Sequence, residues 1–181
     1  REVPYQETRN RLAEKIGERI LLVFNLAAAG RAALRADKPE FALELLRRGE
    51  AEGVRLGHEF ALSNARMIYA ESLVRLGRVE EALAPADAAL AFCEKLNMGH
   101  RLQSLFEIKA EILATQSTPN NDNLRIDEFL ERAAALVERS ESPWYRIRHQ
   151  MARTRIDIKR DRLDAARQSL STAHALYAEM G

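Results

Sequence analysis

Apolar side chains recur every third or fourth residue over most of this chain. Leu43, Leu46, Gly49 (a small residue) and Val54 follow that rhythm, as do Leu83, Ala86, Leu90 and Cys93. It is the spacing of one face of an α-helix. Breakers cut the pattern into paired segments. First (A) helices are predicted near 19–36, 59–76, 100–115 and 143–160, and second (B) helices near 39–56, 79–96, 124–139 and 162–179. Residues 4–16 read as the B helix of a preceding pair whose A helix is missing. Ser142-Pro143 is a start signal, a capping hydroxyl followed by proline at the first helical position. Gly77 and Asp161 mark tight A-to-B turns.

The pairs repeat. Ile16, Leu56 and Leu96 each end an apolar stripe and are spaced 40 and 40. Gly or Asn follows each, and these residues tolerate the left-handed conformation at a helix C-terminus. Ala42, Ala82 and Ala166 sit early in B helices and are spaced 40 and 84. The longer step is two periods plus four inserted residues. Ile126–Leu130 opens the intervening copy, and the polar, breaker-rich run 115–123 reads as the loop that holds the insertion. The units are therefore 17–57, 58–97, 98–140 and 141–181, after a residual helix at 1–16. Small residues recur in columns: Gly30, Ala70 and Ala110 on A helices, Gly49, Ala89 and Ala133 on B helices. A single pair cannot bury its own apolar face, so neighbouring pairs must stack.

These columns resemble those of the tetratricopeptide superfamily, in a long form of about forty residues. Gly30/Ala70/Ala110 match the small residue of the A helix. Ala42/Ala82/Ala166 and Gly49/Ala89/Ala133/Ala173 match the two B-helix alanines, with Leu46, Ala86, Leu130 and Leu170 between them. The early Trp and the terminal Pro of the common pattern are mostly absent. The segments Tyr69–Ala82, Arg101–Leu113, Ser142–Arg148 and Ala175–Gly181 are similar to repeats of large bacterial signalling proteins. In those proteins the repeats accompany a STAND-type ATPase, a class III nucleotide cyclase or a helix-turn-helix regulator domain. The resemblance implies an all-α, right-handed superhelical solenoid of antiparallel helix pairs. It also implies a sensing or partner-docking region that contacts other domains of its parent protein.

Composition narrows the chemistry. Gly (8) and Pro (5) are scarce among 181 residues and aromatics are 6%, which favours helices over a β-rich fold. With 28 basic and 27 acidic residues the formal net charge is +1, so no chain-wide nucleic-acid footprint exists. Cys93, the single cysteine, has no partner for a disulfide; it reads as a buried thiol and fits a reducing, cytoplasmic setting. The longest apolar run, Ile20–Ala29, falls short of the ~18–20 residues of a membrane span. The start at Arg1 suggests a piece of a longer protein. No P-loop, Rossmann glycine fingerprint, nucleophile elbow or His-Glu-x-x-His pair occurs. His58, His100, His149 and His174 are scattered and read as surface or helix-start residues. No catalytic residue, metal or cofactor is expected of this chain, and a parent enzyme would carry its catalytic residues elsewhere.

A binding face can still be named, because stacked repeats usually recognise ligands on their A helices. One column reads Arg31, Glu71, Glu111, Arg155, and the next turn Arg35, Arg75, Thr115, Lys159. The preceding columns read Ala27, Met67, Glu107, Met151 and Phe24, Asn64, Ser104, Arg148. The face is basic at both ends and acidic in the middle, with methionines that adapt to an apolar anchor. It suits a peptide or protein segment with acidic ends and an apolar centre. The competing reading is ordinary solvated helix faces with intrahelical pairs such as Glu71–Arg75. Asp157, in the column of Ala33, Leu73 and Leu113, is expected beside Arg153 or Arg160 on a less covered final repeat. Trp144, in line with Ile20 and Phe60, is expected to anchor packing. Arg146, Arg148, Arg153, Arg155, Lys159 and Arg160 could contact phosphates, but a solvated helix is the preferred reading. The open array end at residues 1–16 allows self-association.

Overall fold

The computed structural model describes residues 7–9, 11–12, 18–116, 123–140 and 142–180. Among them the regular structure is entirely helical: α1 (Arg19–Arg35), α2 (Pro39–Leu56), α3 (Glu59–Arg75), α4 (Val79–Lys95), α5 (Gly99–Gln116), α6 (Asn123–Glu138), α7 (Pro143–Lys159) and α8 (Leu163–Ala178). The eight helices predicted between 19 and 179 are all present, with ends within one residue of the expected ones. Of 4–16, the described residues 7–9 and 11–12 are helical; the rest of that segment, and residues 117–122 of the expected loop, lie outside the described residues.

The turns explain the boundaries. Asp37 (φ 56°), Gly77 (φ 75°) and Asp161 (φ 56°) take the left-handed conformation between A and B helices. In each case the amide of the next residue donates back to the last A-helix turn: Lys38 to Ala33 O (3.0 Å), Arg78 to Leu73 O (2.9 Å) and Arg162 to Asp157 O (2.8 Å). This bond satisfies a carbonyl the helix end would leave unpaired. Gly57 (φ 60°) reverses the chain from α2 to α3, and Asn97 (φ 49°) takes the same left-handed conformation before α5. Pro143 does open α7, but the Ser142 hydroxyl makes no capping bond; the Ser142 amide instead donates to Ser140 Oγ at 3.3 Å.

The chain divides into two compact units, Arg1–Leu96 and Asn97–Gly181. In the first, each helix packs on its sequence neighbour from α1 to α4, and α1 also packs beside α3. The second unit repeats the pattern: α5 to α8 pack in succession, with α5 beside α7. The small-residue columns sit at the crossings. A Cβ on Gly30 would lie 2.5 Å from Leu46 Cγ, and one on Gly49 would lie 3.3 Å from Leu26 Cβ. Gly53 presses on α3 instead, where a Cβ would meet Leu62 at 3.0–3.2 Å. The α2 seam therefore runs Leu46, Gly49, Gly53. Val54, expected in it, is 56% exposed, because a step of five residues turns it off the face. Ala42, Ala70, Ala82, Ala89, Ala110 and Ala133 are fully buried, as is Cys93.

Candidate functional site

The residues named for the A-helix face come together in pairs, and the pairs run along the columns. In the first unit Arg31 Nη2 donates to Glu71 Oε2 at 2.9 Å, forty positions away and one A helix on. Arg75 Nη2 reaches the other oxygen of the same carboxylate at 3.0 Å, so the expected intrahelical pair is made as well. In the second unit the step is forty-four. Arg148 Nη2 donates to Ser104 Oγ (3.3 Å), Arg155 Nε to Glu111 Oε2 (3.1 Å) and Lys159 Nζ to Thr115 Oγ1 (2.7 Å). Such pairs need A helices that lie side by side, parallel and in register, with equal positions opposite each other.

Burial separates the named residues. Arg35, Arg75, Met151 and Lys159 are exposed; Phe24, Arg31, Asn64, Glu71, Arg148 and Arg155 are half-buried; Met67, Glu107 and Glu111 are buried. Phe24 sits against Phe60, with ring centroids 6.1 Å apart. Glu107 is the centre of a buried set that sequence reasoning missed. His149 Nδ1 lies 3.0 Å from its Oε1, and Gln103 Nε2 donates to the same oxygen at 3.0 Å and to Tyr145 O at 3.3 Å. With the carboxylate accepting, Nδ1 carries the ring proton. His149 is 4% exposed, so it is not the surface residue expected. The signal lay in the columns: Glu107 and His149 are 42 apart, two positions off the local forty-four-residue step. His58 does lie at a helix start, where its Nδ1 accepts from the Ala61 amide at 3.2 Å.

Two further expectations change. Asp157 is buried (1% exposed), and its partner is Arg162, whose Nε and Nη2 donate to Oδ1 at 2.9 and 2.5 Å. Arg160 turns instead to Asp127, with bonds of 2.6 and 3.2 Å; these hold the Asp127 carboxyl below the usual carboxylate range, against the opposing effect of its own burial. The reason is the turn, since Arg162 already donates its amide to Asp157 O and its side chain follows. Trp144 is 51% exposed, in the half-exposed column of Ile20 and Phe60, so it is not an enclosed anchor. Of the basic cluster on α7, Arg148, Arg155, Lys159 and Arg160 are held by the partners above, while Arg146 and Arg153 point outward.

Two clefts accompany these faces. One, of about 450 Å3, lies between α1 and α2 over Leu22, Leu26 and Ala51, with Arg19, Arg48, Glu52 and Arg55 around it. Glu52 is pulled down to about 2 by hydrogen bonds from Arg55 and then Arg19, which outweigh its burial. The other, of about 310 Å3, is lined by His100, Gln103, Leu136, Arg139 and Tyr145 among others. Burial, and then the charge of Arg101, push His100 below the ordinary imidazole range. Among the described residues no three His, Cys, Asp or Glu side chains gather closely enough to hold a metal ion. Among the described residues no helix is long and apolar enough to cross a membrane. Comparison with protein families, with curated proteins and with solved structures gave no match.

Proposed function

We propose that the chain is a tetratricopeptide-like, right-handed array that serves as a non-catalytic interaction region of a larger regulatory protein. The reading is supported above all by the pairing of equal column positions on successive A helices, Arg31 with Glu71 and Glu111 with Arg155. Side-chain bonds at the repeat period are what a repeat stacked in register would produce. The proposed ligand is a protein or peptide segment that carries carboxylates around an apolar anchor. On the first unit Glu71 is shared between Arg31 and Arg75, and Arg35 lies one turn further along, so positive charge exceeds negative on that face. On the second, Arg155 and Lys159 share Glu111, at 3.1 and 4.0 Å. A ligand carboxylate would take over a share of these guanidinium donors without leaving Glu71 or Glu111 unpaired.

The test is titration with acidic peptides that carry a central Leu or Phe. The triple variant Arg31→Glu/Arg75→Glu/Arg155→Glu is expected to lose affinity by at least tenfold, and wild-type affinity is expected to weaken with salt. Equal capture by wild type and triple variant would remove the A-helix face from the proposal.

A further inference from the structure

The cleft of about 310 Å3 in the second unit gathers polar groups that the stacking of helices leaves unused. It lies where α5 and α7 begin and α6 ends, with Gln103, Leu136, Arg139 and Tyr145 in its wall. Gln103 is 2% exposed. The Glu107 carboxylate accepts, which fixes the orientation of the Gln103 amide. Nε2 donates to Glu107 Oε1 (3.0 Å) and to Tyr145 O (3.3 Å). Both of its hydrogens are then used, and Oε1 accepts from no described residue. A covered acceptor without a donor is unfavourable. Stacking does not call for it, because the same column holds Val23, Ser63 and Ile147.

The first unit shows the same place closed on itself. Glu52 and Arg55 hold the α2 positions that correspond to Leu136 and Arg139, each 84 residues earlier. There Arg55 donates Nε and Nη2 to the Glu52 carboxylate, at 2.9 and 2.8 Å. With Leu136 in the place of Glu52, Arg139 is exposed and makes no ion pair among the described residues. The Tyr145 hydroxyl makes no hydrogen bond to a described residue either. His100 also lines the cleft; burial, and then the charge of Arg101, keep its imidazole below the ordinary range, so it is neutral near pH 7. No carboxylate stands among the described lining residues. Arg139 therefore sets the charge of the cleft, and two helix starts outweigh one helix end in the same sense.

We propose that this cleft binds a small organic monoanion: a carboxylate on Arg139, a neighbouring hydroxyl or amine that donates to Gln103 Oε1, and a short apolar body over Leu136. A guanidinium fork matches a carboxylate in two parallel bonds. One unpaired cation selects one negative charge. The buried carbonyl oxygen selects a ligand that brings a donor, since a ligand without one leaves it unpaired. The volume lies at the small end of ligand pockets, which limits the body to a few carbons. The site uses none of the residues named for the A-helix face and stands whether or not that face binds a peptide.

The test is amide NMR titration of the whole chain with 2-hydroxy-4-methylpentanoate, which carries all three features. Two analogues each lack one: 4-methylpentanoate has no hydroxyl, and 2-hydroxy-4-methylpentanamide has no charge. The hydroxy acid is expected to bind with a Kd of about 1 mM or below, as suits so few atoms. It should shift the amides of His100, Gln103, Arg139 and Tyr145 and leave those of Arg31 and Arg75 in place. Each analogue is expected to bind at least roughly fivefold more weakly. Arg139→Ala removes an exposed side chain, so helix content should hold while affinity falls about tenfold or more. Arg55→Ala, the corresponding change in the first unit, should leave affinity unchanged. Absence of saturable shifts up to ~20 mM hydroxy acid would overturn the proposal. So would undiminished binding by Arg139→Ala, or either analogue binding as tightly as the hydroxy acid.

Discussion

The two units build the same seam from different materials. In Arg1–Leu96 the helix crossings are closed by absence of bulk: Gly30 under Leu46, Gly49 under Leu26 and Gly53 under Leu62. In Asn97–Gly181 the corresponding places hold Ala110, Thr154, Ala133, Ala173, Val137 and Tyr177, and among the described residues no glycine is pressed at a crossing. There the specificity is polar. Column positions that are Ala27 and Met67 in the first unit become Glu107, bonded to Gln103 and His149. Positions that are Ala33 and Leu73 become Asp157, bonded to Arg162. Among the described residues the first unit buries Asn25, Ser63 and Ser72; the two serines donate within their own helix, to Phe60 O and Ile68 O, whereas Asn25 Nδ2 finds no hydrogen-bond partner. Close-packed crossings punish added volume. Buried polar pairs punish the loss of one partner, and tolerate the loss of both far better.

The largest effect is therefore expected from splitting a pair in the second unit. Arg162→Ala leaves the Asp157 carboxylate at 1% exposure without its guanidinium. Removing one partner of a buried pair costs ~3–5 kcal/mol, and because Arg162 is itself 41% exposed the lower end applies, about 3 kcal/mol. Asp157→Leu installs the residue that the same column holds at Leu73 and Leu113, and frees Arg162 to water; it is expected to change stability by less than ~1 kcal/mol. The double variant should resemble Asp157→Leu and not Arg162→Ala. Urea unfolding of the four proteins gives the coupling directly, and equal losses for both single variants would show that the pair does not carry the seam.

The helices and their period were legible because they are written in volume and turn chemistry, which are local. Gly77 and Asp161 betrayed their turns without reference to any distant residue, and Gly30 its crossing through the column it shares with Ala70 and Ala110. Partners were less legible. Asp157 was assigned to Arg153 or Arg160 by helical proximity, whereas Arg162 reaches it through the turn's own amide bond, a three-dimensional consequence of the left-handed Asp161. His149 read as a surface residue because polarity was weighed alone; its neighbour Glu107 stands on another helix. The A-helix columns did place Arg31 opposite Glu71 and Glu111 opposite Arg155. What they could not show is that those charges would satisfy one another.

Added volume tests the first unit. Gly30→Ala gains helix propensity, ~1 kcal/mol in an exposed helix. Its Cβ, however, would stand 2.5 Å from Leu46 Cγ and 3.2 Å from the backbone oxygen of Ala42. Leu46 is fully buried and cannot swing away into solvent. Overpacking of ~1–3 kcal/mol should outweigh the propensity gain and leave a net loss of about 1 kcal/mol. A thermal midpoint equal to or above wild type would mean that the crossing has slack. The matching change at the second unit's position, Thr154→Ala, removes volume, so overpacking cannot be its penalty.

The smallest effect distinguishes exposed from covered ion pairs. Glu52 ionises at about 2 in the folded chain, against 4.5 when free, chiefly through the hydrogen bonds from Arg55. A lowered folded pKa means that the unfolded chain takes up the proton first as pH falls. The stabilisation from Glu52 is thus complete above 4.5 and is lost between there and about 2. Asp127, lowered by Arg160, acts in the same direction in the second unit. The cations differ: Arg19 and Arg55 are each 54% exposed, whereas Arg160 is 7% exposed. The carboxylates differ the other way, Glu52 being 14% and Asp127 44% exposed, so salt screens both sets and spares the second only as far as Arg160 is covered. Urea midpoints measured from pH 5 to pH 2 should fall less steeply in Glu52→Gln than in wild type, and ~0.5 M salt should erase most of that difference. Asp127→Asn should keep more of its difference in the same salt. If salt erased both alike, the Asp127–Arg160 pair would behave in solution as an exposed one, and the polar character of the second unit would rest on its buried groups, Glu107, Glu111 and Asp157 among them.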